Sequence, residues 1–383
     1  IGRIKKKFRN KKKPVIIVTG CVAQAEGEVL LNKENYIDAI IGPQSYQKFN
    51  QTLIEIAKKN EKINFTEFDV IDKFDNFNLV KNSISSTSSF LTIQEGCDKF
   101  CKFCVVPYTR GPEFSRSFDE LFQECQDLVK NGSREITLLG QNVNAYDYKG
   151  KKLSDLIKEI SKIEELRRIR YTTSHPIDFT QDLIEAHGNT EKLMPLIHLP
   201  VQSGSNEILK KMNRKHSIED YINLINKLKT VNPLLKFSSD FIIGYPGETD
   251  KDFNDTLNLL KKVKYINSYS FVFSPRPGTP AAKMDEINEF AAKKRLIIFQ
   301  EAAAELKLEY RKKLKGKKMS VLFENRIGNK NEFFGRDEFS NSVIVKSSKN
   351  LKGKIKKVKI IDSNLNTLFG QIDVKLDKRN FAA

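Results

Sequence analysis

Gly96-Cys97-Asp98-Lys99-Phe100-Cys101-Lys102-Phe103-Cys104 places three cysteines within eight residues. The spacing C-x3-C-x2-C supplies three thiolates and no fourth, because the next cysteine is Cys125 and no His lies between. A cubane [4Fe-4S] cluster has four irons with thiolates as standard ligands, so three protein ligands leave one iron open. Structural zinc needs a closed set of four ligands, commonly two separated pairs, and a disulfide would leave one thiol over. Zinc and plain structural cysteines stay open as alternatives, each weaker on ligand count.

Outward from this stretch, apolar or β-branched runs recur at 89–95, 135–140, 167–173, 195–201, 236–243 and 267–274, with helical segments between them. Ser117 with Glu120 reads as a capping box, and Leu121, Phe122, Cys125, Leu128 and Val129 form one apolar stripe closed by Asn131-Gly132. Cys125 is therefore expected in a core. Thr249 with Asp252 opens another helix in the same way. Strands alternating with helices predict an α/β fold with a parallel sheet, open or curled into a partial barrel. Ligands of such sheets bind beyond the carboxyl ends of the strands, and the cysteine triplet follows the first one.

The flanks differ. Pro14–Gly20, a helix-like stretch Ala23–Lys33, Tyr36–Gly42 and a helix-like Tyr46–Lys59 predict a small N-terminal α/β unit. Residues 60–88 lose periodicity and end in the Ser-rich 82–89, a linker by composition. A charged helix, Asp285–Leu314, leads to period-two strands at Met319–Glu324, Ser342–Lys346, Ile355–Ser363 and Thr367–Val374, a small β-barrel of a type that frequently binds oligonucleotides. The expected division is 1–80, 87–313 and 314–377.

Across 383 residues the formal charge is +18, and residues 314–383 hold 16 Lys or Arg against 7 Asp or Glu, a net +9. A basic surface concentrated on one terminal segment points to a polyanion, most often nucleic acid. No apolar run of about 18 residues exists to span a membrane, and no apolar segment follows the basic start Ile1–Phe8, which argues against a signal peptide. Five cysteines, an odd number with three clustered, agree with a reducing cytoplasm.

With Phe103 before the last cysteine, C-x3-C-x-aromatic-C resembles the signature of the radical S-adenosylmethionine (SAM) enzymes. That resemblance implies a (βα)6 partial barrel and SAM chelated by the open iron of a cluster on Cys97, Cys101 and Cys104. It implies SAM cleavage to a 5′-deoxyadenosyl radical, with Phe103 against the adenine. A core side chain is the plainer reading of Phe103, and one ring can serve both ends. Polar strings follow the predicted strands: Gly140–Tyr146, Thr172–Pro176, Leu199–Ser205 and Asp240–Thr249. Amides and hydroxyls there suit a ligand carrying carboxylate, amine, ribose and adenine, so Gln141, Asn142, Ser174, Gln202 and Asp240 are candidate SAM contacts. Turn chemistry alone would also call for Gly204, Gly244 and Pro246-Gly247.

Further stretches resemble the methylthiotransferase branch: Thr19–Gln24, Gly96–Gly111, Leu199–Ser205, Asp240–Thr249 and Arg276–Ala281. The tail resembles the TRAM RNA-binding module, recognisable from Gly335-Arg336 through Ser342-Val343. Gly140–Tyr146 is most similar to the type acting on dimethylallyl-adenosine of tRNA. The resemblance implies methylthiolation at C2 of that base beside the anticodon, with a second SAM as methyl source. It implies a second, auxiliary [4Fe-4S] cluster held by three N-terminal cysteines. Of these only Cys21 is present, and the other two are expected upstream of Ile1. A buried thiol after a strand is its plainer reading. The implied partners are the tRNA anticodon arm and an electron donor such as flavodoxin or ferredoxin, acting on a cytoplasmic monomer. Alternatives are a methylthiotransferase for threonylcarbamoyl-adenosine tRNA or for a ribosomal-protein aspartate, and an RNA-binding protein with a structural cluster.

Overall fold

Short apolar runs alternating with helices build a three-stranded parallel sheet at the N-terminus, β1 (Ile17–Thr19), β2 (Ala39–Ile41) and β3 (Ile63–Phe65), in that order. The computed structural model describes residues 1–59, 61–67, 86–328 and 330–372. β3 falls in the stretch read as aperiodic, because three residues are too short to display a period. Helix Cys21–Lys33 starts at the N-cap Gly20, while the stretch expected as one helix from Tyr46 divides into a 3₁₀ segment Pro43–Lys48 and helix Phe49–Lys59. Residues 82–85 of the Ser-rich linker lie outside the described residues. Its end, Ser88-Ser89, already belongs to the next strand.

β4 (Ser88–Thr92) leads into β5 (Gln94–Glu95), which pairs antiparallel with β6 (Phe114–Ser115) and closes the cysteine-bearing loop at its base. Then come β7 (Glu135–Leu139), a small hairpin of β8 (Asp147–Tyr148) and β9 (Lys151–Lys152), β10 (Arg168–Tyr171), β11 (Leu196–His198), β12 (Lys236–Ile243) and β13 (Asn267–Val272). All six expected strands are present and parallel, in two sheets ordered β10-β7-β4 and β11-β12-β13. Ile169 of β10 joins the sheets through backbone bonds with Lys192 and Met194 (2.7 and 2.9 Å), just ahead of β11. The result is a curved half-barrel with strands in chain order.

Alternation along the strands separates two faces. Leu91, Ile136, Leu138 and Ile169 point to the helices and form one core with Leu121, Cys125 and Leu128. Ile197, Phe237, Phe241 and Ile243 do the same for the second sheet. Cys125 is fully buried, as its place in the stripe requires. Helix Phe118–Lys130 begins at Ser117 as read, but the Ser117 hydroxyl makes no capping bond. The buried Phe118 and Arg116 fix that helix entry instead. Thr249 and Asp252 do form the expected capping box.

Helix Glu289–Lys312 runs to a closed barrel of β14 (Lys318–Arg326), β15 (Glu332–Arg336), β16 (Ser342–Lys346), β17 (Ile355–Ser363) and β18 (Leu368–Ile372), ordered β14-β15-β16-β18-β17. β15 adds a strand to the four expected. Its Gly335 takes the close approach of β14, where a Cβ would lie 2.3 Å from the Leu322 carbonyl. The barrel is sealed to the half-barrel by two arginines. Arg168 donates to the carbonyls of Arg336 and Ser320 (2.9 and 2.7 Å), and Arg170 to those of Glu338 and Asp337 (3.0 and 2.9 Å). Buried Glu135 accepts from Arg170 at 3.0 Å and balances the charge.

Candidate active site

The cysteine loop leaves β5 through Gly96, whose φ is +80° and whose Cβ, if present, would sit 1.9 Å from the Pro112 carbonyl. Only glycine allows that crossing. Cys97 donates its N–H to the Gly111 carbonyl (3.2 Å), and Cys104 donates to the carbonyl of Cys101 (2.9 Å). Lys102 ties the loop to two others: its N–H donates to the Met212 carbonyl and its own carbonyl accepts from Ala281 N–H (3.0 and 2.9 Å). Lys99 pairs with Asp178 at 2.8 Å.

Cys101 is buried, with Cys97 and Cys104 half-buried beside it. Burial pushes the Cys97 thiol up to about 12, and Glu113 and the other two thiols add to the push. Burial also raises Cys104, with Cys101 and then Cys21 adding to it. Thiols this desolvated become thiolates only against a strong local cation, as metal ligation provides. The buried Arg214 Nη1 donates to Cys101 Sγ at 3.6 Å and Nη2 to the Pro200 carbonyl at 2.6 Å. Among the described residues no three His, Cys, Asp or Glu side chains converge on a single ion. A cubane offers separate corner irons, so its ligands stand further apart than those of one ion. Three thiols on one pinned loop with a guanidinium behind them suit such a cluster.

The strand-end candidates divide by role. Gln141 Oε1 accepts from Gly96 N–H at 2.9 Å, so it holds the loop in place. Asn142, 1% exposed, donates to Glu113 and Asp178 (3.0 and 2.7 Å), while its Oδ1 has no partner. Ser174 Oγ is likewise buried without a partner, as are Arg214 Nε and His216 Nε2. Buried polar atoms are normally hydrogen-bonded, so these orphans mark where a polar ligand would complete the site. Gln202 has φ +76° and extends the ladder of β12 through Asp240 and Ile242. Asp240 lies within β12 rather than beyond its end, and its carboxylate meets His198 Nε2 at 3.3 Å on the concave face. Phe103 packs against Ile208, Met212, Tyr245 and Phe273.

Sequence reasoning passed over several residues. Gln94, 1% exposed, accepts from the N–H groups of Gln141 and Asn142 (3.0 and 3.1 Å) and donates to the Gly96 carbonyl (2.8 Å). A polar side chain inside the apolar run 89–95 was the available signal. Arg110 Nε donates to Cys21 Sγ at 3.4 Å, and its Nη1 pairs with Glu95. Gln44 reaches the same carboxylate at 2.8 Å. Cys21 of the N-terminal unit thus faces the cysteine loop. Its contacts come from chain segments far apart, so no local pattern announces them.

Residues 91–260 match the Radical SAM superfamily and residues 312–372 the TRAM domain. The chain is 53% identical, over 99% of its length and 86% of the relative's, to the tRNA-2-methylthio-N(6)-dimethylallyladenosine synthase of Pelagibacter ubique (strain HTCC1062). It is 47% identical to the protein of that name from Rickettsia typhi (strain ATCC VR-144 / Wilmington), covering 97% of this chain and 86% of that one. Among solved structures, the radical S-adenosylmethionine methyltransferase TsrM from Kitasatospora setae superposes with a TM-score of 0.54 at 13% identity, over 73% of this chain and 61% of that one. At that identity the likeness speaks for the fold alone. Identity near half over 97–99% of the chain makes it a member of the tRNA-2-methylthio-N6-dimethylallyladenosine synthase family of radical SAM proteins.

Proposed function

We propose that this chain methylthiolates C2 of N6-dimethylallyladenosine beside the anticodon of tRNA. The observation that carries the reading is the meeting of two sulfur sites at the mouth of the half-barrel. The loop of Cys97, Cys101 and Cys104 lies on one side and Cys21 on the other, with Arg110 and Glu95 between them. Family membership implies a [4Fe-4S] cluster and SAM, which when bound supply the one-electron chemistry that activates an unreactive C–H bond. Cys97, Cys101 and Cys104 would hold that cluster, and Arg214 offsets its negative charge. Gln94 and Gln141 keep the loop in register. Asn142 Oδ1 and Ser174 Oγ await a polar ligand, and the half-buried Phe103 of the cysteine loop packs against Ile208, Met212, Tyr245 and Phe273. Gln202 completes the rim from the second sheet, and Asp240 stands within β12 on the concave face.

Cys21 belongs in this reading to a second cluster that carries the sulfur. The C-terminal barrel grips the RNA backbone: Lys318 of β14 stands directly across from Lys359 of β17, with Lys356 and Lys357 alongside. Lys356, Lys357 and Lys359 are exposed along β17, where phosphates can reach them. The division into units 1–80, 87–313 and 314–377 assigns sulfur delivery, radical chemistry and RNA binding in that order. The protein acts as a cytoplasmic monomer, with a flavodoxin or ferredoxin as electron donor. No helix among the described residues is long and apolar enough to cross a membrane.

The test is mass spectrometry of nucleosides from tRNA carrying dimethylallyl-adenosine, beside an assay for 5′-deoxyadenosine and a count of bound iron, all on the natural chain. Cys101→Ala is expected to abolish 5′-deoxyadenosine. Cys21→Ala is expected to lower bound iron to that of one cluster and to give 5′-deoxyadenosine without methylthio product. Methylthio product from the Cys21→Ala protein would sink the sulfur-site assignment.

A further inference from the structure

The concave face of the half-barrel opens on a cavity of about 680 Å³, walled opposite by the long helix and the C-terminal barrel. Lys307 and Arg311 of helix Glu289–Lys312 both line it, spaced i and i+4 and so on one helical face. Arg311 is 3% exposed, and among the described residues its Nε and Nη1 have no hydrogen-bond partner. Its Nη2 reaches Asn341 Oδ1 only at 3.4 Å. A buried guanidinium with most donors unused is costly. Lys307 is half-buried, and burial followed by repulsion from Arg311 lowers its pKa.

The other charged side chains around this cavity already have partners. Glu135 is shared by Arg168 and Arg170, Asp240 contacts the His198 imidazole, and Arg336 pairs with Glu324. Among the described residues Lys307 and Arg311 face the cavity without an acid paired to them, although the Asp337 carboxylate acts on Arg311 from behind. On the same concave surface Phe90, Tyr269 and Phe271 expose their rings by 67%, 52% and 62%. Lys307 also lines the adjoining groove with Tyr269 and Phe271. Exposed ring faces beside unmatched cations answer the two halves of a nucleotide: bases stack on aromatics, and phosphates take charge-assisted hydrogen bonds.

We propose that Lys307 and Arg311 form a phosphate subsite for the nucleotide being modified, gripping a phosphodiester next to it while its base lies over the rings of the concave face. This deepens the tRNA reading above and rests on it. The long helix thereby does more than connect two domains, because it sets how far from the cysteine loop the sugar-phosphate backbone is held.

The experiment is a thermodynamic cycle. Binding of an anticodon stem-loop RNA carrying dimethylallyl-adenosine is measured with all phosphates intact, and with a neutral methylphosphonate at the linkage on either side of that nucleotide. Lys307→Gln, a half-buried position that tolerates the change, is the first variant, and Arg311→Lys, which keeps the buried charge, is the second. At one linkage the methylphosphonate is expected to weaken binding by the natural protein about tenfold and to weaken the Lys307→Gln protein by less than twofold. The slope of log affinity against log salt should be shallower in Lys307→Gln by about 0.7. Equal losses in the natural and variant proteins at both linkages would overturn the subsite while leaving the tRNA reading intact. No binding of the stem-loop by the natural protein would overturn both.

Discussion

Gly96 and Gly150 both hold positive φ, yet they stand for different constraints. A Cβ on Gly150 meets nothing within 4 Å, whereas one on Gly96 would run into the carbonyls of Pro112 and Gly111. Gly150→Ala is expected to cost only backbone strain, about 1–2 kcal/mol. Gly96→Ala must shift the base of the cysteine loop, and iron bound per chain is expected to fall sharply in a reconstitution assay. His187 shows a residue tuned by burial alone: it is pushed down to about 3, and its Nε2 shares a 2.6 Å bond with the Tyr171 hydroxyl. The unfolded chain takes up a proton there near pH ~6.5, while the folded chain resists it. The stability this contributes is complete above about pH 6.5 and is lost as pH falls toward 3, by at most about 1.4 kcal/mol per unit. In urea melts between pH 7 and 5, His187→Phe should remove that part of the acid slope. It should also destabilise the protein at pH 7 by about 1–3 kcal/mol, because the buried Tyr171 hydroxyl is left unpaired.

At the scale of elements, the β14–β17 ribbon separates binding from folding. Lys356, Lys357 and Lys359 are exposed on β17, while Val358 between them and Ile360 just after them are fully buried. The apolar positions hold the barrel and the lysines hold charge. Replacing the three lysines with Gln is expected to leave thermal unfolding within a degree or two of the natural protein. RNA affinity should weaken for every sequence tested, and the salt slope should become shallower by about 2. An unchanged slope in a fluorescence titration would place the RNA elsewhere. The half-barrel strands follow the same logic in reverse. Their helix-facing residues are apolar and predictable, and their concave residues are the polar and aromatic side chains that line the cavity.

For the whole molecule, the seam between half-barrel and terminal barrel is the main coupling. Arg168 and Arg170 spend their donors on backbone carbonyls of the other domain, and Glu135 lies buried beneath them. Replacing Arg170 with Met leaves buried Glu135 only its longer 3.7 Å contact with Arg168 and takes the donor from the Glu338 carbonyl. Breaking a buried pair in this way costs about 3–5 kcal/mol. Calorimetry of the Arg170→Met protein is expected to show the terminal barrel melting apart from the half-barrel, where the natural protein melts as one. Coincident melting in the variant would show that the seam is held by other contacts.

Local rules were enough for much of this protein. Thiol count and spacing at Cys97, Cys101 and Cys104 called for an open cluster. Alternation of apolar runs with capped helices called for the parallel half-barrel, and the charge of residues 314–383 called for a polyanion. The half-barrel is formed as read, and each of these readings rests on neighbours in the chain. The misses were local too where elements were very short, as with β3, or where a cap depended on a rotamer, as at Ser117. What only the tertiary structure decided is which distant groups meet. Arg110 reaches Cys21, Gln94 reaches Gln141 and Asn142, and Lys307 with Arg311 closes the cavity that β4 to β13 open. The half-barrel's curvature and the docking of the third domain bring these groups together. No spacing along the chain encodes such a meeting, because each partner is placed by the packing of a different element.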